Sequence, residues 1–433
     1  MHRMNIKRKL VMVAALSAML VGACSSAGLT GMKVHIQNQE YQEAIHLADS
    51  IIAMGDSLDP EIWFWRGRAF TEMNQWADAS ESFWRAHQLE GSESLALNEY
   101  WFAFFNSAAN VLNDGDIGAA MEYLERGMQV APGRPDFQLM MGDVELNINR
   151  DLQAALDNFT SAAEKAEVLV ADLQQQVDNA RDPYEMDYFA QNLDQARTIQ
   201  IQALYNSGSV LTMMAMDAGE EQMADYVRMA REAYLKGLEV DPTSVDMLDA
   251  LAGAYLIEGD YGSALDTFEE AIANIELGVS EGWLSPEEAD DLKANILVSK
   301  GYALIEMEEY DQAIEELNQA RELIGDDYII LSSMAHADFV MERYQDALSE
   351  LEAVLMIEGL DPEELANAYY TQYACYNRLE MDEEAAESLE TALQFQPDNA
   401  NYWRYLASTY SRLGRRNEAI EAMERAEELE SQD

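Results

Sequence analysis

The chain has 433 residues, of which 81 are acidic and 27 basic, giving a net charge of −54. Such a charge repels nucleic acid and anionic lipid headgroups, which excludes both as electrostatic partners. With 48% hydrophobic residues the chain is a folded protein rather than an acidic disordered one, and only 8 prolines and 23 glycines favour long helices.

The first segment reads as an address. Lys7, Arg8 and Lys9 form a positive start, and an uncharged apolar run follows from Leu10 to Val21. That run is short for a membrane span and ends Leu20-Val21-Gly22-Ala23-Cys24. The ending resembles the bacterial lipobox, although Gly22 stands where Ala or Ser is commoner. The resemblance implies a signal peptide over 1–23, lipidation of Cys24, a tether over 24–31 and an outer-membrane lipoprotein facing the periplasm. Cys375 is the second cysteine of the chain. With Cys24 acylated it has no partner for a disulfide, and its apolar helical setting reads as core.

From residue 32 onward the sequence repeats. Tyr310, Ala313, Leu317 and Ala320 recur 34 residues later as Tyr344, Ala347, Leu351 and Val354. Ala385, Leu389 and Ala392 recur at the same offset as Ala419, Met423 and Ala426. Glycines such as Gly67, Gly142, Gly208 and Gly301 fall on the first helix of a unit, where each costs about 1 kcal/mol against alanine. They are tolerable if they let a second helix approach closely. Pro132, Pro242 and Pro397 end their units.

This pattern resembles the tetratricopeptide repeat, two antiparallel helices in 34 residues. One unit reads Leu251-Ala252, Tyr255, Gly259, Tyr261, Ala264, Phe268 and Ala271. The resemblance implies an all-α fold, a right-handed α-solenoid of antiparallel helix pairs with about ten units. N-terminal units are expected over 32–163, middle units over 201–278 and C-terminal units over 294–433. Two inserts interrupt them. The first, 164–200, is expected as elongated helices broken at Asp182-Pro183. The second, 279–293, carries Ser285-Pro286-Glu287-Glu288, the signature of a helix start.

First helices line the concave wall of such an array, so their outward residues are candidate contacts. The middle units offer Asp246, Asp249 and Tyr302. The C-terminal units offer Ser332, His336, Asn367, Tyr370, Asn377, Arg378, Asn401, Arg404 and Arg412. Bases are rare, so Arg378, Arg404 and Arg412 with Tyr370, Asn377 and Asn401 form the candidate partner-binding set. The family's carboxylate clamp uses similar Asn and Lys/Arg groups, although its lysines are missing; arginine can hold a carboxylate through two bonds. The same arginines could instead pair with neighbouring glutamates. Phe64, Trp65 and Phe102 read as core or as an exposed association patch.

The sequence shows no nucleophile elbow, P-loop, dinucleotide-binding glycine motif or zinc motif, and it implies no cofactor or metal. Asn113-Asp114-Gly115-Asp116 is too short for a calcium loop and reads as a turn between helices. The function expected is a non-catalytic scaffold or adaptor, lipid-anchored at the bacterial cell envelope and binding partner peptides or proteins in its groove. The alternative is an accessory component of an envelope transport or secretion system that docks a periplasmic protein.

Overall fold

A computed structural model describes residues 27–55, 58–90 and 95–431. The signal segment and the lipidation candidate Cys24 lie outside the described residues. Those residues divide into two compact units at Met214/Ala215, and among them every regular element is helical. The first unit holds α1 (27–37), α2 (Tyr41–Ala53), α3 (Pro60–Glu72), α4 (Trp76–Glu90), α5 (Trp101–Asn113), α6 (Ile117–Val130), α7 (Asp136–Val144), α8 (Leu152–Asn179) and nearly all of α9 (Pro183–Met216). The second holds α10 (Glu220–Val240), α11 (Val245–Glu258), α12 (Tyr261–Glu281), α13 (Pro286–Glu306), α14 (Tyr310–Ile324), α15 (Tyr328–Val340), α16 (Tyr344–Val354), α17 (Pro362–Arg378), α18 (Asp382–Phe395), α19 (Ala400–Arg412) and α20 (Arg416–Glu430). Within each unit consecutive helices pack side by side as antiparallel pairs, and successive pairs stack. Each unit is thus a stretch of α-solenoid.

One packing rule recurs along the second helices: a small residue, then a large one four positions on, then a small one three further. Ala79, Phe83 and Ala86 are fully buried on α4. Ala155, Phe159 and Ala162 repeat this on α8, Ala264, Phe268 and Ala271 on α12, and Ala313, Leu317 and Ala320 on α14. The small residues bring two helix backbones together, and the large one fills the gap they leave. Burying such a Phe or Leu stabilises by roughly 1.5–3 kcal/mol.

The first-helix glycines complete the arrangement. A methyl group at Gly67 would lie 2.6 Å from the Phe83 ring, at Gly142 2.5 Å from Phe159, and at Gly301 2.7 Å from Leu317. The close approach is therefore to the large residue of the second helix, not to its alanines. The turn within a pair needs one left-handed residue. Gly115, Gly259 and Gly414 supply it in some pairs, Glu308, Glu342 and Glu380 in others.

Helix starts follow from the acids. The Asp59 side chain accepts from the Glu61 amide ahead of Pro60, and Asp116 and Asp151 accept from Ala119 and Ala154. Asp116 with Gly115 forms the turn expected over 113–116. Ser285 and Glu288 form a reciprocal capping box on α13, with Pro286 at its first position, as the sequence indicates.

Two expectations are refined. Residues 27–31, read as tether, form the first turns of α1, where Leu29 and Met32 pack against Ala48 and Ile51 of α2. The first insert is not a separate element. It is the continuous extension of α8 and α9, whose Leu173 meets Leu193 and Ala196. Asp182 accepts from the amides of Tyr184 and Glu185 and so starts α9 at Pro183. A helix extended past the repeat keeps its period, which is why the insert shows no boundary at residue 164.

Gly142→Ala should destabilise the protein by about 1–3 kcal/mol, because the added methyl displaces the buried Phe159 ring. Denaturant unfolding of both proteins checks this, and an unchanged midpoint would mean that the close approach is not tight.

Candidate functional site

The candidate residues of the C-terminal pairs sit on α17 and α19. A capping box of Asp361 and Glu364 starts α17 at Pro362, and Asn399 caps α19 by accepting from the Tyr402 amide. Both are first helices of their pairs, so they run side by side in the stack with α18 behind them.

Along their facing sides lies a stack of four tyrosines. The Tyr370 ring is 5.0 Å from Tyr402 and nearly parallel to it, and 5.8 Å from Tyr405. Tyr373 stacks on Tyr405 at 5.7 Å. Tyr373 and Tyr402 are buried, Tyr370 is half-buried and Tyr405 is 37% exposed, so the ladder has an inner wall and an open edge. Loss of solvation pushes the Tyr370 hydroxyl up to about 12, helped by its hydrogen bond with Tyr405.

The sequence candidates fall into three places around this ladder. Arg412 joins α19 to α17: its guanidinium donates to Asn377 Oδ1 at 2.6 Å and, through Nε, to Asp382 Oδ1 at 2.7 Å. Asn377 and Arg412 are therefore brought together, one helical face with Tyr370 and Tyr373. Arg404 donates to Asn401 Oδ1 at 2.9 Å and is ion-paired with Glu430 of α20. Arg378, at the end of α17, is exposed and pairs with none of the other five. The set read as one groove is thus two bridged pairs and one separate arginine. Acids engage both bridged arginines, Asp382 for Arg412 and Glu430 for Arg404.

The ladder as a whole is missed by reading single residues. Its signal is present: Tyr370-x2-Tyr373 recurs as Tyr402-x2-Tyr405 at an offset of 32. A Tyr at every turn on neighbouring first helices must stack if those helices lie side by side.

Elsewhere the candidates are more scattered. Asp246, Asp249 and Tyr302 are exposed, as are His336 and Asn367; Ser332 is half-buried. Asp249 is held above the usual carboxylate range by lost solvation and then by the Asp246 charge. Phe64, Trp65 and Phe102 do not form an exposed patch. Phe64 meets Trp65 and Tyr100 edge to face, Phe102 meets Trp76, and Arg68 covers Trp65. All three are half-buried against the core of the first unit. Cys375 is buried and its thiol is pushed up to about 12 by burial, consistent with a packing role. Among the described residues no group of His, Cys, Asp and Glu is placed to hold a metal ion, and no helix is long and apolar enough to cross a membrane.

Stacked antiparallel helix pairs, closed by small–large–small packing, define a helical-repeat protein whose lateral faces are its means of contact. The chain carries tetratricopeptide repeats: models of that family match residues 33–87, 294–327 and 405–433. Among solved structures it is similar to MamA from Desulfovibrio magneticus RS-1, at 21% identity over 44% of this chain and 96% of that one, with a TM-score of 0.37. It is similar to YrrB, described as a TPR protein with an unusual peptide-binding site, at 22% identity over 46% and 88%, TM-score 0.35. It is also similar to the Cut9–Hcn1 hetero-tetramer of APC/C, at 13% identity over 93% of each chain, TM-score 0.35. A comparison with curated protein sequences finds no match.

The raised Tyr370 hydroxyl has a consequence for stability. An unfolded tyrosine ionises near 10, whereas this one holds its proton to about 12. The contribution is fully present below pH 10 and is lost as pH rises toward 12. Tyr370→Phe should make the fall in stability over that range shallower, as followed by tyrosinate absorbance and circular dichroism; an identical fall would detach Tyr370 from it.

Proposed function

We propose that the chain is a non-catalytic scaffold that holds a peptide segment of a partner protein against α17 and α19. The observation that carries this reading is the tyrosine ladder, open at Tyr370 and Tyr405 and bordered by Arg412 and Asn377. Tyrosine offers large contact area at small entropic cost, and a planar aromatic wall beside donors is what a peptide backbone and carboxylate need. Arg378, free of the pairs that hold Arg404 and Arg412, is the guanidinium most available to a carboxylate. The segment is then acidic or ends in a carboxylate, since on a body of net charge −54 these are rare cationic points.

We further propose that the scaffold is held at the cell envelope by lipid on Cys24, facing the periplasm from the outer membrane. The support is the basic–apolar–small–Cys order of residues 7–24. Residues 27–37 are helical and lie close to Cys24 in the chain, so such an anchor leaves the repeats close to the membrane surface. Acyl chains contribute about 0.8 kcal/mol per buried CH₂, enough for stable anchoring when more than one is attached.

Two outcomes check these readings. Replacing Arg378, Arg404 and Arg412 together by Glu should abolish capture of the partner from crosslinked envelopes, and Tyr405→Ala should weaken it by about tenfold, the scale of a central aromatic contact. Unchanged capture by both variants ends the groove assignment. Cys24→Ser should move the protein from the membrane fraction to the soluble one; a variant that still sediments with membranes refutes the anchor.

A further inference from the structure

The second unit contains a cleft away from the tyrosine ladder, of about 470 Å³. It lies between the α10–α11 connection and the α12–α13 hairpin. One wall is apolar, made by Trp283, Leu284, Leu292 and Val245. The other is polar, lined by Asp241, Thr243, Ser244 and Asp246.

The cleft is built, not a gap between loose loops. The amides of Trp283 and Leu284 both donate to the Gly278 carbonyl at 3.1 Å, with Gly282 in the left-handed conformation between the helices. The indole lies directly over Gly278, where a methyl would be 2.7 Å from the ring. Opposite, Asp241 Oδ1 accepts from the Thr243 amide at 2.9 Å and its hydroxyl at 2.7 Å. Asn274 of α12 donates to the Pro242 carbonyl at 3.1 Å, which ties the two walls together. Despite this support Trp283 remains 53% exposed.

Among the described residues no lysine or arginine lines the cleft. The start of α11 also points there, but a helix end carries only about half a positive charge against two carboxylates, and Ser244 already caps it by accepting from the Met247 amide. An exposed indole face beside two carboxylates attracts an organic cation through the ring quadrupole and direct charge.

We propose that this cleft receives a lysine or arginine side chain of a basic peptide segment, with the cation on the Trp283 face and its charge met by Asp246 and Asp241. The alkyl stem lies against Leu284 and Leu292, as such stems do along apolar surface. The site is independent of the ladder, which faces the opposite charge.

The test uses the full chain labelled with 5-fluorotryptophan. The protein has 7 tryptophans, and the Trp283 resonance is assigned by its disappearance in Trp283→Phe. The probe is the peptide acetyl-Gly-Arg-Gly-amide, with its citrulline counterpart as the neutral isostere. The arginine peptide should shift the Trp283 resonance saturably and the citrulline peptide should not. Asp246→Asn, a surface change that leaves the fold intact, should weaken binding about threefold, as an exposed ion pair does. A Trp283 resonance that does not respond, an equal response to citrulline, or full affinity in Asp246→Asn overturns the proposal.

Discussion

Everything in this protein rests on the close approach of two helices within each pair. That approach is set by volume: a glycine on the first helix faces one large residue of the second, which buried alanines flank on its own helix. Gly142 beneath Phe159 and Gly67 beneath Phe83 are the clearest cases. Because each pair buries its apolar stripe only against its neighbours, stability accrues locally and the chain can lengthen without a thicker core. The tyrosine ladder lies on two such first helices, with Tyr373 and Tyr402 in the core and Tyr405 at the exposed edge.

The charge imbalance is organised around this frame. Several acids serve as helix caps, where they satisfy amides that would otherwise lack partners. The few bases mostly tie neighbouring helices or pairs together. Arg66 reaches Asp49, Arg321 reaches Glu350, Arg343 reaches Asp311 and Lys300 reaches Glu316 as well as Glu269. Each exposed pair contributes little, about 0–1 kcal/mol. Their placement matters more than their strength, because it leaves most of the surface acidic and Arg378, among the described residues, without an acid partner on α17.

The sequence conveyed the helix pairs well because the repeat is a spacing rule, and spacing survives in a linear string. Ala264, Phe268 and Ala271 announce their burial by position alone. The start of α13 was equally legible, since Ser285, Pro286 and Glu288 are a local signal. What was not legible depended on contacts between separate helices. Arg412 and Arg404 look alike in sequence, yet one bridges to Asn377 and Asp382 and the other to Glu430. Phe64, Trp65 and Phe102 looked dense enough to form a surface patch, but edge-to-face packing absorbed them. The ladder lay between these extremes: its 32-residue offset is visible, but only the side-by-side placement of α17 and α19 turns it into a stack.

We propose that a partner is held on the face of α17 and α19. Photo-crosslinking from single positions tests it most directly. A benzoylphenylalanine placed at position 405, on the open edge of the ladder, is compared with one at position 420, on the exposed face of α20. In cells making the full chain, irradiation should give a discrete adduct from position 405 and none from position 420. Adducts of equal yield from both positions, or an adduct from position 420 alone, would place the partner elsewhere.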